Sequence, residues 1–405
     1  GHGIGFDHLG LASRFQPLLE LSQRVRIQGC LIERWIEQIF GHERVRPLIR
    51  NRFRGWLEWG PEMLQELLMS ASLQSFRALR VHKTDSGTRS ALETIGLDDL
   101  NPGQVRVRVC YSGINYKDAL AVSGKGRIMR AFPRVAGIDL SGEVISCDDG
   151  RLQPGERVLV TGCNIGELLD GGFSEVARVP ADAVVRVPDG LDLRDVAAIG
   201  TAGFTAALAL RRMLENHQRP EMGPIAVTGP TGGVGGIAID LFSQAGFEVH
   251  AITGKADTHG EYLKGLGAHA VVARQAVDFG SKPMEKALWG GAVDNLGGDT
   301  LTWLTRTVRP WGNIGCIGLA QGPALNTTVM PLILRGVSLL GIHSVEVPRP
   351  WREAIWEQLA GPWKLRHLER LVTRTVGLDD LVPACEEQVA GTTVGRTLVQ
   401  LSGVR

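Results

Sequence analysis

The chain has few cysteines, and they stand too far apart to build the sites that cysteines usually build. The six are Cys30, Cys110, Cys147, Cys163, Cys316 and Cys385. No two of them form a CxxC pair, which excludes a disulfide framework and a structural zinc lobe of closely spaced thiolates. This cysteine usage favours a reducing compartment, and we predict a cytoplasmic protein.

Net charge and long apolar runs are also missing. Lys plus Arg number 44 and Asp plus Glu number 43, so the formal net charge is +1. This balance predicts neither nucleic acid nor a membrane surface as a partner. No run of about 18 apolar residues appears, and the first residues lack the pattern of a secretory signal. The composition, 43% hydrophobic and 21% charged over 405 residues, is typical of a globular chain with two or three domains.

Residues 1–75 differ from the rest of the chain because their apolar residues recur at helical spacing. One face would carry Leu31, Ile32, Trp35, Ile36, Ile39 and Phe40. We predict a helical extension that serves as a docking element or linker. Nine arginines among the first 54 residues are typical of a solvated helix face, with an acidic partner as the alternative. The missing initiator Met favours a module cut from a longer polypeptide.

From Phe76 onward, short strands come first, and strands and helices then alternate. Alternating apolar residues at 105–109 and 157–160 predict a β-rich domain over 76–195. Alternation with helical segments over 196–343 indicates a doubly wound parallel sheet, an α/β architecture. Its predicted strands are 224–228, 248–252 and 313–317. A strand-like segment at 396–400 predicts that residues 344–405 return to the β-rich domain.

A glycine-rich segment stands between a predicted strand and a predicted helix. It runs from Thr228 to Gly235 and ends in Thr231, Gly232, Gly233 and Val234, which we predict to bind a dinucleotide. Glycines let the backbone approach a pyrophosphate, and the following helix presents its positive N-terminus to that anion. The position between strand and helix favours this interpretation over a plain turn.

The end of the next predicted strand indicates which dinucleotide to expect. Proteins selective for NAD carry an acidic residue there, whereas this chain has Thr253, Gly254 and Lys255. A hydroxyl and an ammonium can both donate hydrogen bonds to a 2′-phosphate, and Arg274 can reinforce the same site. The sequence therefore predicts NADPH. The alternative is that Lys255 is only a solvated loop residue near Asp257.

Several segments together resemble the medium-chain dehydrogenases/reductases. They are GINYKDAL (113–120), FP (132–133), GID (137–139), GTAGFTA (200–206), TGK (253–255), GLA (318–320) and VMPLILR (329–335). The resemblance runs from about Phe76 to the C-terminus and narrows to the branch that contains acryloyl-CoA reductase and quinone oxidoreductases. It implies a GroES-like catalytic domain beside a Rossmann domain, assembled as a homodimer or as the reductase module of a larger fused enzyme. It also implies cofactor contacts from Thr201, Leu319, Ile333 and Ser344.

The zinc-dependent members of this family hold their metal through a Cys, a His and a second Cys. In this chain those three positions are Asn115, Ile138 and Thr201. Isoleucine has no lone pair to donate, and neutral amide and hydroxyl oxygens match Zn²⁺ poorly. We therefore predict no metal. The chemistry that remains is hydride transfer to a substrate already made electron-poor by conjugation.

A conjugated thioester meets that requirement. Hydride adds at its β-carbon, negative charge develops on the thioester oxygen, and a proton reaches the α-carbon. Tyr116 is the predicted donor and, by resemblance, a contact of the nicotinamide; the alternative is a tyrosine that only shapes the pocket. Asn115, Lys117 and Asp118 are predicted to orient Tyr116 or the oxyanion.

The loop that follows carries Lys125, Arg127 and Arg130 within six residues. We predict that these cations bind the phosphates of an acyl-CoA substrate, with a solvated charge cluster as the alternative. The leading functional hypothesis is an NADPH-dependent reductase of a short enoyl-CoA such as acryloyl-CoA. The alternatives are an NADPH-dependent quinone or enone reductase and a non-catalytic NADPH-binding docking protein.

The loop at 162–172 departs from the family, whose members carry tryptophans and a histidine there.

Overall fold

The computed structural model describes residues 75–401, so the helical extension predicted at 1–75 lies outside the described residues except for Ser75. The strands are β1 Phe76–Thr84, β2 Gly87–Ile95, β3 Val105–Ile114, β4 Arg134–Val135, β5 Asp139–Cys147, β6 Arg157–Thr161, β7 Val176–Val179, β8 Val185–Arg186, β9 Ile225–Thr228, β10 Val249–Thr253, β11 Ala270–Ala273, β12 Gly291–Asp294, β13 Asn313–Cys316, β14 Ser338–Gly341, β15 Val372–Val376 and β16 Arg396–Gln400. The helices are α1 Tyr116–Val122, α2 Leu193–Glu215, α3 Gly233–Gln244, α4 Ala256–Lys264, α5 Gly298–Thr307, α6 Met330–Arg335, α7 Arg349–Ala360, α8 Leu368–Leu371 and α9 Leu381–Ala390.

The β-rich part is built around β3, whose alternating sequence gives it one buried face. Val105, Val107 and Val109 are fully buried, and the arginines between them are partly exposed. The sheet order is β15-β16-β3-β5-β6-β8, and β7 also pairs with β3. A second sheet has the order β2-β1-β4. Because β16 pairs antiparallel with β3, the end of the described chain lies beside the segment that leads into α1.

The second part is a six-stranded parallel sheet with the order β11-β10-β9-β12-β13-β14. Its central strands are short and apolar because both faces are covered, and all four residues of β9 are buried. The strand order reverses between β9 and β12, which opens a crevice at the carboxyl ends of the strands. The prediction of a doubly wound α/β sheet joined to a β-rich domain is confirmed.

Helix α2 connects the sheet built around β3 to the parallel sheet. It is long and apolar enough to cross a membrane by length and composition alone, but 83% of its most apolar stretch is buried inside the protein, as in a core helix. Its regular geometry breaks at Gly200, which has φ +50°. A Cβ there would lie 2.6 Å from Asp139 Oδ2 and 2.7 Å from an Arg396 nitrogen, so only glycine fits. The break aims the backbone N–H of Thr201 at Asp139.

A chain beginning at Ser75 is expected to fold and to bind dinucleotide as the full chain does. The reason is that residues 75–401 contain all three sheets, their cores and every predicted site residue. Thermal unfolding by circular dichroism and titration with NADPH, each run beside the full chain, would measure this. Soluble, folded truncated protein that no longer binds NADPH would contradict the separation of the first 75 residues from the site.

Candidate active site

The glycine-rich segment lies between β9 and α3, at the point where the strand order reverses. Gly229 has φ +58°, and a Cβ on Gly235 would lie 2.4 Å from the Gly229 carbonyl oxygen, so the turn requires glycine at both places. Gly232 is the N-cap of α3, and no side chain caps this helix. The first-turn amides are therefore open to an anion. The structure brings the four predicted residues, Thr231 to Val234, together at this partly exposed turn.

The end of β10 carries the residues predicted to select the cofactor. The hydroxyl oxygen of Thr253 accepts the backbone N–H of Lys255 at 3.0 Å, which leaves the hydroxyl proton free to donate. Arg274 follows Ala273, the register partner of Thr253 on β11, and is exposed without a partner among residues 75–401. Gln275, which was not predicted from the sequence, donates to the Gly254 carbonyl at 3.2 Å.

Lys255 itself is engaged elsewhere. Its Nζ donates to the carbonyl oxygen of Gly391, just beyond α9, at 2.6 Å in an exposed setting. An exposed contact of this kind is worth little and is easily exchanged for a charge-assisted contact with a phosphate.

The other predicted cofactor residues lie in two different settings. Ser344 follows β14, and its carbonyl oxygen accepts from the Arg352 guanidinium at 3.1 Å. Leu319 follows β13 and Ile333 lies on α6, and they are 65% and 72% exposed. Both side chains are therefore open to a ligand.

Tyr116 is the first residue of α1, and its side chain is open to solvent. The residue is 42% exposed, and no other residue between 75 and 401 forms a hydrogen bond with its hydroxyl. Its helix is held by a capping box, in which Asp118 Oδ2 accepts the backbone N–H of Asn115 at 2.9 Å. The structure thus fixes the backbone of Tyr116 and leaves the phenol available for a ligand.

Asn115 and Asp118 are occupied with each other and with the protein interior. The Asn115 amide nitrogen donates to Asp139 Oδ2 at 2.8 Å and to Asp118 Oδ2 at 3.1 Å, and its oxygen accepts from Arg396 at 3.1 Å. Asp118 is 1% exposed and also accepts the N–H of Ile138 at 2.8 Å. Burial, and secondarily the nearby Asp139, raise the pKa of Asp118 to about 7. Because Asn115 and Asp118 already contact each other and the protein interior, they are better placed to orient Tyr116 than to contact a substrate oxyanion.

Asp139 and Arg396 form the centre of this network, and no role was predicted for either from the sequence. Asp139 accepts from the Thr201 hydroxyl at 2.5 Å and from the Thr201 N–H at 2.9 Å, and Arg396 lies 3.8 Å away. Arg396 is 2% exposed and also donates to the carbonyls of Ala198 and Ile114. Two of the three positions compared with zinc ligands, Asn115 and Thr201, thus carry side chains bonded to a buried carboxylate, and the third, Ile138, is apolar. Residues 75–401 contain no group of three or more His, Cys, Asp or Glu residues placed to hold a metal ion.

A second buried arginine joins the end of β6 to the segment after β14. Arg352 donates to the Thr161 carbonyl at 2.6 Å, and to the carbonyls of Ser344 and Val345 at 3.1 and 3.0 Å. Its guanidinium lies 4.8 Å from the centre of the Phe204 ring. Burial lowers the pKa of Arg352. Because Thr161 is the strand neighbour of Asp139, this arginine fixes the backbone of Ser344 next to the buried network.

Lys117 is held by the loop at 162–172. Its Nζ lies 2.8 Å from Glu167 Oε1, and the two side chains are 34% and 19% exposed. Cys163 and Asn164 in the same loop have positive φ angles, and the Asn164 carbonyl accepts several N–H groups of the loop. The ion pair thus anchors this loop, which departs from the family pattern, against α1.

The predicted basic loop follows the C-terminal end of α1. Lys125, Arg127 and Arg130 are all exposed, and none forms an ion pair or hydrogen bond with residues 75–401. Other exposed arginines have acidic partners, as Arg151 has in Asp149 and Asp182. The unpaired charges are available to an anion.

Comparison with known proteins places both parts of the chain in described families. Residues 101–189 match the alcohol dehydrogenase GroES-like domain, and residues 233–360 match the zinc-binding dehydrogenase family. "Putative quinone oxidoreductase YhfP" of Bacillus subtilis is 41% identical over 327 residues, 80% of this chain and 99% of that protein. The acrylyl-CoA reductase AcuI of Ruegeria pomeroyi is 40% identical over 330 residues, 81% of this chain and 99% of that protein.

Solved structures show the same likeness in three dimensions. The crystal structure of Escherichia coli K-12 YHDH with bound NADPH is 39% identical with a TM-score of 0.77, and the match covers 80% of this chain and 99% of that one. The crystal structure of B. subtilis yhfP with NAD bound is 41% identical with a TM-score of 0.78, covering 81% and 100% of the two chains. Both matches leave about a fifth of this chain uncovered.

Proposed function

The chain belongs to the medium-chain dehydrogenase/reductase family, and on that premise we propose that it reduces the carbon–carbon double bond of a short enoyl-CoA with NADPH. Acryloyl-CoA is the proposed substrate and propionyl-CoA the product. The observation that carries the proposal is the donor set at the former zinc positions, where Asn115 and Thr201 are bonded to Asp139. Without a Lewis acid at this place, the substrate must itself be electrophilic, as an enoyl thioester is.

When bound, NADPH supplies the hydride for the β-carbon of the substrate. The protein then has to stabilise the negative charge on the thioester oxygen and deliver one proton to the α-carbon. Tyr116 is the group we assign to that task because its hydroxyl is open and unpartnered while its helix is held by Asp118. Lys117 is neutralised by Glu167 and keeps the neighbouring loop in place.

The residues at the ends of β9 and β10 fit NADPH. The uncapped N-terminus of α3 suits the pyrophosphate, and Gly232 leaves room for its close approach, since a Cβ there would meet only the Gly229 oxygen at 3.5 Å. Thr253, Lys255 and Arg274 supply hydrogen-bond donors and two charges for the 2′-phosphate. The NADPH bound in the E. coli structure supports this choice of cofactor. The NAD bound in the B. subtilis structure favours NAD as the alternative cofactor.

Lys255→Ala is expected to weaken NADPH binding by roughly 1 to 3 kcal/mol, as expected for a charge-assisted contact with the 2′-phosphate, and to leave NADH binding nearly unchanged. Fluorescence titration with each dinucleotide would measure the two dissociation constants. Lys286→Ala, an exposed lysine in a distant loop, is the matched control. Equal losses for NADPH and NADH would contradict a contact with the 2′-phosphate.

The proposal is tested by comparing substrates under one condition. With NADPH, the rate of oxidation at 340 nm is expected to be highest with acryloyl-CoA and much lower with a benzoquinone. The second candidate, a quinone reductase, is favoured by the name of the YhfP relative. It predicts the reverse order of rates. A protein that binds NADPH but oxidises it with neither substrate would support the docking-protein hypothesis.

We also propose that the chain forms a homodimer through the outer edge of the parallel sheet. β14 ends the sheet on one side, and α6 leads directly into it. Helix α6 and its N-cap expose Val329, Ile333 and Leu334 by 62%, 72% and 61%. A strand edge beside an apolar surface is a usual place for a second copy to pair.

Leu334→Asp is expected to shift the protein from dimer to monomer, because it places a charge in the apolar surface that the copies would bury. Analytical ultracentrifugation at several concentrations would measure the mass. Trp351→Asp, on the exposed side of α7, is the control and should stay dimeric. A wild-type protein that sediments as a monomer would contradict the dimer.

A further inference from the structure

We propose that the tip of the β1–β2 hairpin and the loop after α1 together bind the phosphates of the 3′-phospho-ADP part of coenzyme A. The residues are Lys83 and Thr88 of the hairpin and Ser123, Lys125 and Arg127 of the loop. This inference rests on the proposed function, since it names the part of the enoyl-CoA that this surface holds. The loop cations were apparent from the sequence, but the hairpin was not.

The hairpin and the loop are in direct contact. A Cβ on Gly124 would lie 2.7 Å from Thr88 Oγ1, and Ser90 Oγ donates to the Val122 carbonyl at 2.6 Å. Lys83 is the cross-strand partner of Thr88. Directly opposed residues place their side chains on the same face of a sheet. Lys83 therefore belongs to the face of the hairpin that meets the loop.

The surface is positive and lacks internal neutralisation. Lys83, Lys125 and Arg127 are exposed and have no ion-pair or hydrogen-bond partner among residues 75–401. Asp85, in the hairpin turn, is the one acid in segments 83–89 and 123–130. On the opposite face of the hairpin, Glu93 is already paired with Arg80 and His82. Three free cations contributed by two segments suit a ligand with several phosphate charges.

Two hydroxyl groups at the same contact also lack partners. The Thr88 Oγ1 and Ser123 Oγ atoms are buried, and neither has a hydrogen-bond partner. Buried hydroxyls are nearly always hydrogen-bonded in folded proteins. Two unsatisfied hydroxyls next to unpaired cations are expected at a site that gains its acceptors, here phosphate oxygens, when the ligand binds.

The distance from Tyr116 suits an acyl-CoA. Helix α1 has seven residues and rises about 10 Å at 1.5 Å per residue, so Tyr116 and Ser123 lie about that far apart along the axis. The loop and its long side chains extend further. The extended pantetheine arm of coenzyme A is long enough to bridge this interval. A thioester at Tyr116 and phosphates at the hairpin can therefore be held by one molecule.

The test compares acryloyl-CoA with acryloyl-pantetheine, which has the same thioester and no phosphate. Lys83→Glu and Arg127→Glu are each expected to raise the KM for acryloyl-CoA by about tenfold or more and to leave kcat nearly unchanged. The KM for acryloyl-pantetheine should not change in either variant. Lys286→Glu, an exposed lysine outside the site, is the matched control and should alter neither KM. Equal effects on the two substrates, or no effect on acryloyl-CoA, would overturn the proposal.

A binding measurement separates this inference from the proposed function. Adenosine 3′,5′-bisphosphate is titrated by calorimetry into the full chain saturated with NADP⁺, which occupies the other phosphate site. Wild-type protein should bind the bisphosphate, and Lys83→Glu should lose this binding. If the wild type reduces acryloyl-CoA but binds no bisphosphate, the phosphate site is wrong and the function stands. If it binds the bisphosphate through Lys83 but reduces no enoyl thioester, the site stands and the function is wrong.

Discussion

Tyr116→Phe is expected to lower kcat for acryloyl-CoA by about 100-fold or more and to leave NADPH binding nearly unchanged. The substitution removes only the hydroxyl, and general acid catalysis by one positioned side chain typically contributes about 10² to 10⁴ in rate. The loss should appear in kcat because the charge on the thioester oxygen develops only in the transition state. Pre-steady-state kinetics at 340 nm would separate hydride transfer from product release.

The matched control for this substitution is Tyr262→Phe. Tyr262 lies on α4 against Arg370, and its buried hydroxyl has no hydrogen-bond partner. Removing that hydroxyl should change neither kcat nor KM. If Tyr116→Phe likewise leaves kcat unchanged, Tyr116 only shapes the pocket, and the proton or the charge stabilisation comes from another group.

Asp139→Ala is expected to lower the free energy of unfolding by about 3 to 5 kcal/mol, the usual effect of removing one partner from a buried ion pair. The substitution leaves the Arg396 guanidinium, 2% exposed, without its nearest carboxylate. It also removes the acceptor of the Thr201 hydroxyl and of the Asn115 amide. Urea unfolding followed by circular dichroism would measure the difference.

The control for this prediction is an ion pair at the surface. Asp148 lies 2.6 Å from Arg106, and its side chain is 50% exposed. Asp148→Ala should cost about 1 kcal/mol or less because water already screens both charges. If the two substitutions destabilise the protein to the same small extent, the buried network does not hold the site together as we describe.

The parts of this protein that were predictable from sequence are those determined by residues close together in the chain. Alternating valines predicted β3, and glycines between a strand and a helix predicted the turn at Gly232, because each signal lies within a few residues. The absence of an acidic residue after Ile252, which predicted NADPH, is also a signal contained within a few neighbouring residues. The structure confirms the sheet types and shows the glycine turn where the strand order reverses.

The parts that were missed depend on residues far apart in the chain. Asp139 lies on a β-strand and Arg396 on the last described strand, and only the folded chain brings them to Thr201, a predicted cofactor contact whose bonds to Asp139 were not predicted. The one local signal was Gly200, which stands directly before Thr201 and tolerates the positive φ required there. Lys83 was missed for the same reason, since its contact with the loop depends on how the hairpin packs.

The most direct test of the central claim is to follow the hydride itself. Acryloyl-CoA is incubated with the enzyme and NADPH that carries deuterium at the transferred position, and the acyl group of the product is examined by mass spectrometry and deuterium NMR. The account predicts propionyl-CoA with one deuterium at the β-carbon and, in ordinary water, none at the α-carbon. Deuterium at the α-carbon, or oxidation of NADPH without formation of propionyl-CoA, would contradict it.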